Sequence, residues 1–137
     1  MSLVLDSSVT LAWVYSAEAT GAVSDVLARV TESGAWVPAL WRLEIANVLE
    51  MGVRKGRTDG AFRDAALADL ALLPITVDGE TDHHAWGATA KLAARHSLTL
   101  YDAAYLELAR RRGLPLATLD QQLRAAAAAE DIVLLGV

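Results

Sequence analysis

Apolar residues alternate along the chain between short runs and longer, helically spaced stretches. Leu3-Val4-Leu5, Ala35-Trp36-Val37, Ile75-Thr76-Val77, Leu116-Ala117-Thr118 and Ile132-Val133-Leu134-Leu135 read as brief strands that lack the regular polar alternation of a half-exposed sheet. One or two helical stretches separate each strand from the next. That succession predicts a single doubly wound α/β domain over residues 1–137, a mostly parallel five-stranded sheet with helices on both faces. Punctuation agrees: Gly34 closes the helix before the second run, Pro38 opens the helix after it, and Gly113 with Pro115 ends the helix before the fourth. The run Ala125 to Ala129 reads as part of a packed last helix, because Ala is the best helix former.

In the helix expected from Pro38 to about Arg54, Leu40, Leu43, Glu44, Asn47, Val48 and Met51 follow the spacing of a buried stripe. Glu44 and Asn47 would lie inside it. A carboxylate on an apolar face is costly unless it is paired, protonated or bound to metal. In the helix starting near Thr99, Asp102, Tyr105, Leu106 and Ala109 repeat the pattern, which turns Asp102 to the core near an anion-favouring helix N-terminus. Ligands of doubly wound sheets bind beyond the carboxyl ends of the strands. Asp6 directly follows the first strand and Asp120 comes just after the fourth. Each acid also has an ordinary reading. Asp6 can begin a turn with Ser7 or Ser8 capping the next helix, and Asp120 can be a helix N-cap. Asp102 with Thr99 can form a variant capping box, and Glu44 can pair with a buried Arg. Under those readings, four acids near one sheet edge require four separate coincidences.

The chain has 137 residues, 54% of them hydrophobic, which fits one domain and is too short for two independently cored ones. A net charge of −5 provides no global basic field for nucleic acid or anionic membrane, so any phosphate must be met locally. There is no Cys, which excludes disulfides, a thiol nucleophile and thiolate zinc sites and fits a reducing cytoplasm. Met1-Ser2-Leu3-Val4-Leu5-Asp6 is no signal peptide, and no stretch reaches the roughly 20 apolar residues of a membrane helix. A soluble, cytoplasmic protein with no membrane partner is expected. The mean hydropathy of +0.31 is high for such a chain and points to apolar surface covered by another chain.

Acids clustered without Cys or a suitable His form a hard oxygen site, which takes Mg²⁺ or Mn²⁺. His83 and His84 are adjacent and point about 100° apart on a helix, while His96 reads as a helix C-terminal cap. Arg54-Lys55-Gly56-Arg57 and Arg110-Arg111-Arg112 read first as solvated helix ends and second as phosphate contacts. Trp13, Trp36, Trp41 and Trp86 sit in apolar periodic segments and are expected in the core or an interface.

Four segments together carry a resemblance: Leu3-Val4-Leu5-Asp6-Ser7-Ser8-Val9 with Trp13 following, Glu44-Ile45-Ala46-Asn47-Val48-Leu49, Thr99-Leu100-Tyr101-Asp102-Ala103-Ala104-Tyr105-Leu106, and Leu116-Ala117-Thr118-Leu119-Asp120-Gln121-Gln122-Leu123. In this order and spacing the chain resembles the PIN-domain nucleases, and among them the VapC-like toxins of bacterial toxin–antitoxin pairs, from Leu3 to about Leu135. Some members carry a further acid after the fourth segment, where this chain has Gln121 and Gln122. The resemblance implies an Mg²⁺-dependent endoribonuclease, with Mn²⁺ as a substitute, that hydrolyses RNA to a 5′-phosphate and a 3′-hydroxyl. Asp6, Asp102 and Asp120 would hold the ion, and Glu44 would hold a second ion or orient the attacking water. Ser7, Asn47 and Thr118 would orient these carboxylates. It also implies a homodimer and a cognate antitoxin whose tail lies across the acidic pocket, offering Arg. Two other readings compete. One is a phosphoacceptor receiver domain with Asp78 as acceptor, against which Asp6 stands alone after its strand and no Lys follows the last strand. The other is a PIN-like binding module without catalysis, against which all four acids are present.

Overall fold

Leu3, Val4 and Leu5 have no exposed surface, which makes the first strand the centre of the molecule. Burying each such side chain stabilises the fold by about 1.5–3 kcal/mol. The computed structural model describes residues 1–137. Strand β1 (Val4–Leu5) lies between β2 (Ala35–Val37) and β4 (Leu116–Ala117), while β3 (Ile75–Val77) and β5 (Leu134–Leu135) form the edges. The order is β3-β2-β1-β4-β5 and every pairing is parallel, with Val4 opposite both Trp36 and Leu116. The expected mostly parallel sheet is thus wholly parallel.

Eight helices connect the strands: α1 (Ser7–Val14), α2 (Gly21–Ser33), α3 (Trp41–Arg54), α4 (Gly60–Ala71), α5 (Thr81–Ala85), α6 (Ala88–His96), α7 (Leu100–Arg112) and α8 (Gln121–Ala129). Helix–helix packing divides into two sets, α1 to α4 and α5 to α8. Right-handed crossovers put the sets on opposite faces, because the chain steps one way from β1 to β3 and the other way from β3 to β5. The winding reverses between β1 and β4, and in doubly wound sheets ligands bind beyond the carboxyl ends of the strands at such a point.

Local chemistry sets the helix ends. Thr20, Asp59, Thr99 and Asp120 each accept a backbone N–H from the first turn of the helix that follows. Gly34 and Gly113 end α2 and α7 at φ of +77° and +64°, a region that favours glycine. Pro38 lies in the turn before α3 rather than opening the helix, which begins at Trp41.

The buried face of α3 is not the expected stripe. Trp41, Ile45, Leu49 and Gly52 face the core, one position round from Leu40, Leu43, Asn47, Val48 and Met51. Leu43 is 76% exposed and Val48 also reaches solvent. Trp86, expected in core or interface, is 98% exposed. Trp13 and Trp41 follow the expectation, and their indole N–H groups donate to the Val23 carbonyl and Thr10 Oγ1. Most of the basic clusters are engaged. Arg54 pairs with Glu50, Arg57 with Glu18 and Arg110 with Glu130, while the Arg112 guanidinium lies over the Trp36 ring. His96 ends α6 and meets Glu130 at 2.8 Å. No helix is long and apolar enough to cross a membrane.

Candidate active site

Asp6 leaves the end of β1 with its amide still bonded to the Ala117 carbonyl of β4, so the sheet itself fixes its backbone. Its side chain is 4% exposed. Oδ2 accepts from Ser8 Oγ at 2.6 Å and from Thr118 Oγ1 at 2.8 Å. Both hydroxyls in turn accept backbone amides from the loop after β4: Leu119 N–H donates to Ser8 and Asp120 N–H to Thr118. One network therefore ties the ends of β1 and β4 together around Asp6. Arg124 supports that loop from α8 by donating to the carbonyls of Thr118 and Leu135.

The other three acids stand at helix starts. Asp120 is the N-cap of α8 and accepts from the Leu123 amide at 2.8 Å, so its ordinary capping reading holds alongside its place just after β4. Asp102 lies in the first turn of α7 with its amide bonded to Thr99 Oγ1. Glu44 lies in the first turn of α3, half-buried, and accepts from the Tyr105 hydroxyl of α7. No buried Arg pairs with it.

Electrostatics link the four. Burial raises the Asp6 carboxyl above its ordinary range against the pull of the Ser8 and Thr118 hydroxyls and the nearby amides. Burial also raises Glu44, opposed by the Tyr105 bond and reinforced by the charges of Asp6 and Asp102. Asp102 is raised by burial and then by Asp6 and Asp120. None of the four forms an ion pair, although Glu18, Glu50, Asp64, Asp78, Glu80, Glu107 and Glu130 all do. The pocket thus concentrates negative charge that the chain leaves unbalanced. Its donors are carboxylate oxygens, the chemistry that suits a hard divalent cation. No three carboxylates or imidazoles stand close enough to form a ready-made cage.

Two supporting residues differ from expectation. Ser8 rather than Ser7 gives its hydroxyl to Asp6; Ser7 contributes only its backbone amide there, and its side chain lies beside the Tyr105 phenol. In Asp6-Ser7-Ser8 both hydroxyls are near enough in sequence, and only the helical turn of α1 selects between them. Asn47 is exposed and supports neither Glu44 nor its neighbours, a consequence of the rotated face of α3. Tyr105, read in the sequence as a stripe residue, is the contact that sequence spacing alone missed; its partner is 61 positions away. Thr118 is placed as expected. Asp78 is 1% exposed and held by Arg111 at 2.6 Å, so it is no free phosphoacceptor. The strand order also differs from the 2-1-3-4-5 order of flavodoxin-like sheets, to which the signalling protein CheY belongs. Both observations overturn the receiver reading.

Comparison with known proteins agrees with this geometry. The PIN domain family matches residues 3–129. Ribonuclease VapC3 of Mycobacterium tuberculosis, in strains CDC 1551 and H37Rv, is 37% identical over 100 residues, which are 73% of this chain and 70% of the relative. The fold is shared with PAE2754 from Pyrobaculum aerophilum, with a TM-score of 0.68 and 23% identity over 92% of this chain and 84% of that one. It is shared too with the Rickettsia felis VapBC2 structure, solved bound to a promoter DNA fragment, with a TM-score of 0.64 and 10% identity over 98% and 97% of the two chains. A match over nearly the whole chain, together with acids gathered where the sheet reverses its winding, shows that this protein belongs to the PIN-domain family and groups with the VapC ribonucleases.

Proposed function

We propose that the protein is an Mg²⁺-dependent endoribonuclease, the toxin of a toxin–antitoxin pair, with Mn²⁺ able to replace Mg²⁺. The observation that carries this reading is that Asp6, Glu44, Asp102 and Asp120 act on one another's charges while none of them pairs with a Lys, Arg or His. Asp6, Asp102 and Asp120 are assigned to hold the ion, and Glu44 to hold a second ion or orient water. When bound, the ion supplies charge neutralisation on the phosphate and lowers the pKa of the attacking water. The chain's own part is preorganisation. Ser8 and Thr118 fix Asp6, the Leu123 amide fixes Asp120, and the start of α7 presents Asp102. The expected products are a 5′-phosphate and a 3′-hydroxyl.

The same excess of negative charge suits an antitoxin whose tail inserts Arg into the pocket, replacing the ion with a guanidinium. An apolar groove of about 390 Å³, with Trp13, Val14, Leu27, Phe62 and Leu70 among its lining, offers the rest of such a partner a hydrophobic seat. Leu43 and Val48 on α3, with Leu100 and Tyr101 on α7, are exposed apolar positions that we assign to a homodimer contact. A cytoplasmic location fits the absence of Cys.

Purified protein should cleave RNA in Mg²⁺ or Mn²⁺ and fall silent in excess chelator. Asp6→Asn, Glu44→Gln, Asp102→Asn and Asp120→Asn should each remove most activity and keep the native circular-dichroism spectrum. Cleavage that persists in chelator, or acid variants that cut as well as the parent, would overturn this mechanism, and a protein that cuts no RNA in either metal would favour a binding module without catalysis.

A further inference from the structure

Tyr105 is wholly buried in α7, and its hydroxyl donates to Glu44 Oε1. The two helices belong to opposite sets of the winding, and this is the only side-chain hydrogen bond between them. Glu44 has no other polar anchor. Asp6, by contrast, is held by two hydroxyls and Asp120 by a backbone amide. Glu44 is also the longest of the four acid side chains, with three rotatable bonds, and its face of α3 borders the exposed Leu43. Without a fixed donor its carboxylate would swing between pocket and solvent. A packed phenol meets this need. Its ring has no exposed surface, and a hydroxyl bonded at one carboxylate oxygen leaves the other available.

We propose that Tyr105 is a positioning residue that fixes Glu44 toward the acidic pocket by bonding Oε1 and leaving Oε2 for the ion or the attacking water. The inference rests on the nuclease reading above, and it makes α7 contribute twice, once through Asp102 and once through Tyr105 three residues on. Ser7, beside the same phenol, is placed to keep the hydroxyl aimed at Glu44.

The test is a double-mutant cycle with Tyr105→Phe and Glu44→Gln, since Phe retains the buried ring and removes only the hydroxyl. In the RNA-free protein, Tyr105→Phe should weaken Mn²⁺ binding by calorimetry about 10–100-fold, the usual effect of losing a group that orients a ligand. On RNA it should lower kcat by a similar factor at unchanged KM. Neither loss should recur when Tyr105→Phe is added to Glu44→Gln. A fall in kcat alone that also vanishes in the Glu44→Gln background supports the positioning role and assigns water to Glu44. Equal losses in both backgrounds would show a purely structural role and overturn the proposal, as would a Tyr105→Phe protein that matches wild type in both readouts. A second measurement needs no change at Tyr105: in protein with isotope-labelled tyrosine, the Tyr105 ring signals should move on adding Mg²⁺ to wild type and stay fixed in Glu44→Gln. Unmoved signals in wild type would count against it. Because Mn²⁺ affinity and ring signals need no substrate, a protein that binds ions but cuts no RNA would refute the nuclease reading and leave the Tyr105 result legible.

Discussion

Asp6 and Asp78 are both buried acids, at 4% and 1% exposure, and their surroundings treat them oppositely. Asp6 meets hydroxyls and other acids, so burial prevails and its carboxyl is raised. Burial acts on Asp78 too, but the Arg111 guanidinium, the Glu80 amide and the Thr81 hydroxyl outweigh it and hold the group below its ordinary value. Arg111 also carries Glu107, itself buried, so Arg111→Met would strand two carboxylates in the interior. Breaking a buried pair in this way costs about 3–5 kcal/mol. A depressed pKa means that the fold favours ionised Asp78 more than the unfolded chain does. Its contribution is complete above the unfolded value of about 3.9 and vanishes as pH falls through the lower folded value. Urea unfolding should therefore show a wild-type advantage over Arg111→Met that is full at neutral pH and shrinks in strong acid; an advantage equally large at every pH would contradict the pairing. The sequence could not separate these two acids. Each follows a strand, and the cation that distinguishes Asp78 lies 33 residues away.

At the scale of elements, strands and helix ends were legible where one residue type has one physical use. Gly34 and Gly113 take positive φ, Thr99 caps α7, and the five apolar runs became the five strands. Helix α3 was harder because it carries two apolar stripes. Leu40, Leu43, Val48 and Met51 fit helical spacing as well as Trp41, Ile45 and Leu49 do, and only packing against the core, α1 and α4 decides which goes inside. The misplacement of Asn47 followed from that choice, whereas Glu44 survived it because it sits at the border of both stripes. The two faces should respond differently to substitution. Ile45→Ala, at a site 1% exposed, should cost about 2–5 kcal/mol in denaturant unfolding. Leu43→Asp should leave unfolding of the single chain nearly unchanged, within about 0.5 kcal/mol, and, under the proposed homodimer contact, shift light scattering from dimer to monomer. A Leu43→Asp protein that still scatters as a dimer would move the contact elsewhere, and one that unfolds would return Leu43 to the core.

For the whole molecule, the sheet order brings together acids that the chain separates by up to 114 positions, from Asp6 to Asp120. The sequence revealed which acids follow strands or begin helices. It could not reveal that three of them would have raised pKa values through shared burial, because that depends on how closely β1, β4, α3 and α7 approach. The consequence is a fold that works against its own site. A raised pKa means that the folded protein binds protons more readily than the unfolded chain, so Asp6, Glu44 and Asp102 all destabilise the metal-free fold as pH rises through their unfolded values, about 4, toward neutrality. Mg²⁺ should relieve this. An ion that binds the folded pocket and hardly the unfolded chain adds about 2.7 kcal/mol of apparent stability at 100 times Kd. Asp6→Asn removes one repelling charge and keeps an oxygen able to accept from Ser8 and Thr118. Its melting temperature in chelator at neutral pH should therefore equal or exceed that of wild type, and the difference should shrink as the solution is acidified, because the raised wild-type carboxyl takes up its proton more readily in the fold than in the unfolded chain. On adding Mg²⁺ the order should reverse, with wild type rising and the variant gaining less. Four melts at each pH, wild type and Asp6→Asn with chelator and with Mg²⁺, decide the matter. A variant that gains as much from Mg²⁺ as wild type does would remove Asp6 from the ion's ligands, and with it the central member of the proposed site.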